Sequence, residues 1–313
     1  MTPTTSNGVA AAVDGIVVVD KPQGLTSHQV VARIRRLAGT RKVGHAGTLD
    51  PMATGVLVVG LNRATRLLGH LQVTDKSYDA TIRLGASTST DDAEGEVVTT
   101  ASPSAVAVLT PEAIEDAVSV FRGEISQVPS KVSAIKVDGR RAYKRVRAGE
   151  EVALEARLVT VSRYDVTDVR PVEALPADDS AVGPFLDVDV SVDCSSGTYI
   201  RALARDLGND LGVGGHLTSL RRTRVGRFHL TAASTLDELA EAFAVTPIAE
   251  VAAETFDRYE ATPEEAAAIR SGRPVAGLKL TPGLTAMFAP DGTFLALYEP
   301  HGPLAKPAAV FVG

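Results

Sequence analysis

Asp50 lies in a turn-rich segment, Gly47-Thr48-Leu49-Asp50-Pro51, and its carboxylate is of a type that can act as a nucleophile. A reactive carboxylate needs a fixed geometry, a cation that keeps it ionised, and a pocket that excludes water. An aspartate before a proline is also ordinary turn chemistry, and the segment alone favours that interpretation. The choice between a nucleophile and a turn residue therefore depends on the rest of the chain.

Basic residues are clustered in this chain although its net charge is −6. Residues 1–230 hold 27 basic and 27 acidic residues, whereas residues 231–313 hold 5 and 11 and account for the whole excess of negative charge. Basic clusters occupy residues 33–42, 131–147 and 221–227. Such clusters are often solvated surfaces, but they can also neutralise phosphates locally. Three of them in the neutral part of the chain favour a polyanionic partner.

Cysteine and histidine usage argues against metal chemistry. Cys194 is the single cysteine, which excludes an internal disulfide and a multi-cysteine metal site. The six histidines are scattered without cysteine or carboxylate partners at ligand spacing, and the glycine-rich stretches match neither a P-loop nor a dinucleotide fingerprint. We therefore expect no metal and no cofactor. The sequence shows no signal-peptide pattern and no apolar stretch of membrane-spanning length, so we expect a cytoplasmic protein without a membrane partner.

Hydrophobic patterning predicts a mixed α+β domain followed by a small β-rich one. We expect strands at 15–20, 56–60, 78–84, 152–168 and 185–193, and helices that begin near Thr26 or Ser27, at Thr110-Pro111 and after Tyr199. Residues 41–55 and 87–107 are rich in turn-forming types and are expected to be loops. The expected domains are a disordered tail at 1–14, a catalytic domain at 15–250 and a C-terminal domain at 256–313.

Six segments in order resemble the motifs of the TruB family, the bacterial enzymes that convert uridine 55 in the T-arm of tRNA to pseudouridine, and particularly its actinobacterial members. The segments are 17–28, 41–66, 76–85, 121–152, 194–208 and 214–228. The resemblance implies a pseudouridine synthase fold with a mixed, mostly antiparallel sheet and flanking helices. It also implies a PUA-like C-terminal domain and a monomer that acts on tRNA without a cofactor or an obligate protein partner.

The family motifs imply catalytic roles for three residues of this sequence. Asp50 matches the nucleophilic aspartate, Tyr78 matches the tyrosine that stacks on the target uracil, and Arg201 matches the arginine that pairs with the aspartate. A bidentate contact between a guanidinium and a carboxylate keeps the carboxylate ionised and oriented. The carboxylate could attack C1′ of the ribose or C6 of the base, or assist proton removal at C2′. The sequence leaves these routes open.

The resemblance also implies a set of substrate-binding residues. His45 matches the histidine that helps to hold the T-loop bases apart, which is needed because chemistry on a stacked base requires its extrusion. Tyr199 and Leu220 match pocket positions, while Lys21 and Pro22 match a motif beneath the catalytic loop. The basic clusters are expected to contact phosphates, and the residues assigned to this role are Lys131, Lys136, Arg141, Arg221 and Arg222. Many relatives have lysine at the positions of Ser196 and Arg66, which puts RNA contacts there in doubt.

Two other functions remain open at the level of sequence. The chain could be a tRNA-folding chaperone that acts by binding alone, with an idle catalytic loop. It could also be a guide-RNA-dependent, dyskerin-type catalytic subunit. The joint presence of Asp50, Tyr78 and Arg201 argues against the first alternative, and the short N-terminal tail with bacterial-type motifs argues against the second.

Overall fold

A computed structural model describes residues 13–72, 74–130, 136–137, 140–141, 154–172 and 184–312, with backbone alone at 136–137 and 140–141. The elements up to residue 130 are β1 (Gly15–Lys21), α1 (Ser27–Leu37), β2 (Val43–Ala46), β3 (Thr54–Leu61), α2 (Leu68–Leu71), β4 (Lys76–Leu84), β5 (Ala86–Thr88), β6 (Val97–Thr100), α3 (Pro103–Ala107), α4 (Pro111–Ser119) and β7 (Gly123–Gln127).

The central part of the chain adds long strands and one long helix. Its elements are β8 (Lys136–Val137), β9 (Arg140–Arg141), β10 (Arg157–Val172), β11 (Phe185–Cys194), α5 (Ile200–Asp210) and β12 (Gly215–Val225). The C-terminal part contains β13 (Phe228–His229), α6 (Leu236–Glu241), β14 (Thr246–Pro247), α7 (Ile248–Thr255), β15 (Asp257–Glu260), α8 (Pro263–Arg270), β16 (Val275–Ala276), β17 (Thr285–Phe288), β18 (Phe294–His301) and β19 (Leu304–Val310).

The described residues form two compact units. The first unit contains residues 13–50, 56–72 and 227–312, and the second contains residues 51–55 and 74–226. The division falls directly after Asp50 and again inside β3, so the segment 51–55 belongs to the second unit.

In the first unit, β1 lies between β14 and β3, and β2 pairs antiparallel with β3. Helix α1 buries Val30, Val31 and Ile34 in a core that it shares with β1 and β3. The hydroxyl of Thr26 accepts from the backbone of Gln29, and the Gln29 side chain reaches back to Thr26, so this helix begins with a capping box. Thr26, rather than Ser27, is therefore the cap.

The first unit also holds a second sheet, with the order β15-β17-β18-β19-β16. Helix α8 packs on it, and Ile269 is buried with Met287 and Tyr298. The order Thr262-Pro263-Glu264-Glu265 predicts a capping box with proline in the first turn, and Thr262 caps this helix in that way. The segment Pro290-Asp291-Gly292 is typical of a hairpin turn, and β17 and β18 pair antiparallel across it.

The second unit is built on antiparallel strands in the order β12-β4-β11-β10-β7. Helix α5 packs on β12 and β4 and buries its apolar face, including Leu203 and Leu207. Val188, Val190 and Val192 of β11 alternate inward as a half-buried strand requires. The fold class is confirmed as mixed α+β with a mostly antiparallel sheet.

One face of this sheet carries an Arg–Asp ladder, formed by Arg83, Arg163 and Arg170 with Asp187, Asp189 and Asp193. The guanidinium of Arg83 donates to both carboxylate oxygens of Asp187 at 2.8 and 2.9 Å. Arg163 donates to Asp193 at 2.8 Å, and Arg170 donates to both oxygens of Asp189. These hydrogen bonds lower the pKa of Asp189 and of Asp193, since each stabilises the ionised carboxylate. The three arginines on this face are therefore neutralised by aspartates of the same sheet.

Both loops predicted from turn-forming residues contain regular structure. Within 41–55 lie strand β2 and the start of β3, and within 87–107 lie β6, α3 and the end of β5. The loop interpretation was wrong there because the hydrogen-bond partners of β2 come from residues 58–61, which no local pattern reveals. Strand β10 ends at Val172, four residues beyond the predicted end.

Within the described part of the chain, no helix combines the length and apolarity that crossing a membrane requires. Over the same residues, histidine, cysteine and acidic side chains do not gather in groups of three or more that could hold a metal ion.

Candidate active site

Asp50 lies in the connection between β2 and β3 of the first unit and is half-buried. Gly47 enters this connection with a φ of +75°, a conformation that glycine adopts without strain. The preceding residue, Leu49, is only 4% exposed and anchors the loop in the interior. The carboxylate is thus carried by a loop whose base is packed rather than by a free surface turn.

Ser27, the first residue of α1, holds the backbone of Leu49 on both sides. Its hydroxyl accepts a hydrogen bond from the Leu49 N–H at 2.9 Å and donates one to the Leu49 carbonyl at 3.1 Å. Ser27 is 1% exposed, so these bonds form away from water. The residue immediately before Asp50 is therefore fixed by a side chain that lies 22 positions earlier in the sequence.

The segment after Asp50 belongs to the second unit and is fixed to β12. Thr54 and Gly55 pair in parallel with Arg221 and Arg222, and Arg221 donates from Nη1 to the Thr54 hydroxyl at 3.2 Å. Gly55 has a φ of +98°, and a Cβ atom at this position would lie 2.2 Å from the Arg222 carbonyl oxygen. Only glycine allows this close approach of two backbones.

His45 and Lys21 are the other predicted site residues in the first unit. His45 is half-buried in β2, and its ring packs edge-on against His28, with the ring centroids 5.4 Å apart. Lys21 is fully buried at the end of β1 and donates to the Pro22 carbonyl at 2.9 Å. Burial of Lys21 favours support of the loop over direct contact with a substrate, and its predicted part in substrate binding stays a prediction.

Tyr78 occupies the central strand β4 of the second unit, opposite Val192 on one neighbouring strand and Arg222 on the other. Its side chain is 7% exposed. Leu220, the predicted pocket wall, is 6% exposed on the same neighbouring strand β12. The sheet holds Tyr78 at a fixed position, and its predicted stacking on the target uracil stays a prediction.

Arg201 is buried in the first turn of α5 and is held by the turn between β5 and β6. Its Nη1 donates to the Thr90 carbonyl at 2.8 Å and lies 3.2 Å from the carboxylate of Asp92. Arg201 and Asp92 are 5% and 3% exposed at their side chains. Asp92 in turn accepts from the Thr90 hydroxyl at 2.5 Å and from the Glu94 N–H at 3.0 Å. The guanidinium is thereby fixed; its predicted pairing with Asp50 stays a prediction.

Gln127 fixes the start of the helix that carries Arg201. Its amide accepts from the Tyr199 N–H at 2.8 Å and donates to the Tyr199 carbonyl at 3.1 Å. Gln127 is 2% exposed, and Tyr199 is the N-cap residue of α5. A single side-chain amide thus holds both backbone groups of the residue two positions before Arg201.

Lys76 and Arg222 place two cations inside the second unit. Arg222 is 1% exposed, which favours a role inside the fold over the phosphate contact predicted for it. Burial, reinforced by the charge of Arg222, lowers the pKa of Lys76 to about 8. Lys76 donates to the Thr74 carbonyl at 2.8 Å, and it lies two residues before Tyr78 on the same strand.

We expect Lys76→Met to remove part of the pH dependence of stability. In the folded protein Lys76 is neutral above about pH 8, whereas in the unfolded chain it keeps its proton until about pH 10.5. The unfolded state therefore binds more protons between these values, and this group makes the free energy of unfolding rise with pH there. Urea denaturation should show that the free energy of unfolding rises more between pH 7.5 and pH 9.5 in the wild type than in Lys76→Met. Equal rises would contradict the prediction, and the exposed Lys279→Met serves as the control.

Within the basic cluster at 131–147, the structure describes residues 136–137 and 140–141. Lys131 lies outside the described residues. Lys136 and Arg141 stand opposite each other in the short β8–β9 hairpin, of which the backbone alone is described. Their predicted contacts with phosphate stay predictions.

Three family models together match residues 35–312. The description "TruB family pseudouridylate synthase (N terminal domain)" applies to residues 35–200, which is more than half of the chain. The chain belongs to the TruB family. Two C-terminal models of the same family follow, "tRNA pseudouridylate synthase B C-terminal domain" at 201–257 and "tRNA Pseudouridine synthase II, C terminal" at 256–312.

Curated relatives of this TruB family member match over nearly their full length. A protein from Arthrobacter sp. (strain FB24) named tRNA pseudouridine synthase B is 57% identical over 307 residues, which are 96% of this chain and 97% of the relative. Another of that name from Mycobacterium sp. (strain KMS) is 58% identical over 286 residues, or 91% and 92% of the two chains. Among solved structures, a chain of a Cbf5-Nop10-Gar1 complex is 27% identical with a TM-score of 0.70, covering 98% of this chain and 88% of that one.

Ser27, Asp92 and Gln127 hold predicted site residues or their chain neighbours in place, and the sequence alone does not reveal these roles. The sequence predicts Ser27 only as a possible helix cap, and it predicts a loop for the segment that contains Asp92. Gln127 falls inside one of the motif segments, 121–152, which was the available signal for it. Their roles depend on partners 22 to more than 100 positions away in the sequence, which local patterns do not reveal.

Proposed function

We propose that this TruB family member isomerises uridine 55 in the T-arm of tRNA to pseudouridine. The observation that carries the proposal is the 57% identity, over 96% of the chain, to a protein named tRNA pseudouridine synthase B. In this reaction the bond between N1 and C1′ breaks, the base turns, and C5 bonds to C1′. The hydrogen at C5 leaves as a proton and N1 gains one, so no redox partner or energy source is needed.

The family motifs supply the catalytic roles in the proposal. Asp50 is the nucleophile, Tyr78 stacks on the flipped uracil, and Arg201 keeps the carboxylate of Asp50 ionised. The packed base of the Asp50 loop and the fixed guanidinium of Arg201 support these roles. A nucleophile and its counter-ion must both be preorganised, because their reorientation during the reaction would add to the barrier.

RNA binding in the proposal combines base extrusion with phosphate contacts. His45 helps to hold the T-loop bases apart beside the extruded base, with Tyr199 and Leu220 at the pocket. Lys131, Lys136, Arg141 and Arg221 contact the backbone and set the salt dependence of affinity. The C-terminal domain at 256–313 contributes little, because it holds 5 basic against 6 acidic residues and none of the three basic clusters. The protein acts in the cytoplasm as a monomer, without a cofactor and without an obligate protein partner.

A label-release assay tests this proposal. Uridine labelled with tritium at C5 is placed at position 55 of a T-arm hairpin, and the purified protein is added alone at low salt. Release of label at that position is the expected result. A matched hairpin labelled at a stem uridine is the control and should release none.

The two alternative functions predict different outcomes in the same assay. A chaperone that acts by binding would retain the hairpin on a filter without releasing label. A guide-dependent subunit would release label only when a guide RNA and partner proteins are added. The chain is 57% identical to a protein named tRNA pseudouridine synthase B but 27% identical to a chain of the Cbf5-Nop10-Gar1 complex. This difference supports activity of the protein alone.

A further inference from the structure

The hydroxyl of Ser27 is buried and committed to one residue of the catalytic loop. A serine at the start of a helix most often caps it, but here the capping box is formed by Thr26 and Gln29. Ser27 instead accepts from the Leu49 N–H at 2.9 Å and donates to the Leu49 carbonyl at 3.1 Å. The hydroxyl of Ser27 therefore holds the catalytic loop and does not cap the helix.

Two bonds to one residue restrict its backbone more than a single contact does. The N–H and the carbonyl of Leu49 lie on either side of its Cα, so fixing both limits its φ and ψ together. The Leu49 carbonyl belongs to the planar peptide unit that leads into Asp50, so its orientation fixes where the nitrogen and the Cα atom of Asp50 lie. Leu49 itself is 4% exposed, so its side chain adds a third constraint.

We propose that Ser27 is a positioning residue for the carboxylate of Asp50, acting through the backbone of Leu49. The proposal rests on the function proposed above, since it presumes that Asp50 reacts with the substrate. Ser27 does not touch RNA in this account; it removes the freedom of the loop that would otherwise let the carboxylate leave its reactive orientation. A small displacement of a reacting group costs rate far more than it costs binding.

The test compares Ser27→Ala with Thr26→Ala. The first substitution removes both bonds to Leu49, and the second removes the cap of the same helix while leaving those bonds intact. Three quantities are measured for each variant: the single-turnover rate of label release at saturating T-arm hairpin, the Kd for the hairpin by filter binding, and the Tm. Ser27→Cys is a second variant, because a thiol fills the space of the hydroxyl but is a weak donor and acceptor.

Ser27→Ala is expected to lower the single-turnover rate by about 30-fold while Kd changes by less than about threefold. Thr26→Ala is expected to lower the Tm at least as much as Ser27→Ala does, because it loses the helix cap, but to keep the single-turnover rate within about threefold of the wild type. The single-turnover rate of Ser27→Cys should lie between those of the wild type and Ser27→Ala. If Ser27→Ala does not fold, the rate of Ser27→Cys tests the proposal.

A wild-type rate in either Ser27 variant would overturn the proposal. So would a rate loss in Thr26→Ala equal to that in Ser27→Ala, since stability of the helix would then explain both. Failure of the proposed function is distinguishable, because in that case the wild-type protein itself releases no label from the hairpin.

Discussion

Asp50→Asn is expected to abolish turnover while leaving RNA binding intact. The amide has nearly the size of the carboxylate, so the packed loop around Leu49 should persist. It cannot act as the nucleophile, and we expect the single-turnover rate to fall by more than about 10³-fold, a loss above about 4 kcal/mol of transition-state stabilisation. Affinity for a polyanion should not fall, because the substitution removes a negative charge. Label release and filter binding on the T-arm hairpin measure the two quantities.

The control for Asp50→Asn is Asp116→Asn, which makes the same chemical change on the exposed side of α4. It should match the wild type in both measurements. An active Asp50→Asn protein would show that the nucleophile has been assigned to the wrong residue. A protein that lost binding together with turnover would show that Asp50 acts in substrate recognition.

Gly55→Ala is expected to destabilise the second unit strongly. The added methyl group would lie 2.2 Å from the Arg222 carbonyl oxygen and 2.9 Å from its nitrogen, both backbone atoms of a paired strand. The residue must also keep a φ of +98°, which disfavours any side chain. We expect the free energy of unfolding to fall by about 3 kcal/mol or more, from the clash and the backbone strain together. Urea denaturation monitored by circular dichroism measures it.

Gly123→Ala separates the two causes. Gly123 lies in the same unit with a φ of +86°, but a Cβ atom there meets nothing within 4 Å. The free energy of unfolding of this variant should therefore fall by only about 1 kcal/mol, which is the cost of a side chain at a positive φ. If the two alanine variants were equally stable, close packing of Gly55 on Arg222 would not be what requires glycine there.

The sequence was informative about the elements that repeat a local pattern. The alternation in residues 185–193 and the apolar face that includes Leu203 and Leu207 correspond to β11 and α5, and Thr262 caps its helix as expected. In each case neighbouring residues determine the conformation. The fold class followed from these elements and from the order of the family motifs.

Long-range partners explain what the sequence could not reveal. Local pattern predicts a loop at β2 because the pairing of this strand depends on β3, and it does not predict the burial of Asp92 because the counter-ion of Asp92 is 109 positions away. The identity of the candidate site residues came from the family motifs, but their supports did not. Ser27, Asp92 and Gln127 are polar residues at turns or element ends, where a surface role is the ordinary expectation.

The Arg–Asp ladder on the sheet of the second unit has a consequence for measurements of RNA affinity. Arginines that already neutralise Asp187, Asp189 and Asp193 do not displace cations from a nucleic acid. The slope of log Kd against log salt reports the number of phosphates that a protein neutralises, because each releases condensed cations. Arg83, Arg163 and Arg170 should therefore be absent from that number, so the count of displaced ions reports only basic residues outside this Arg–Asp ladder.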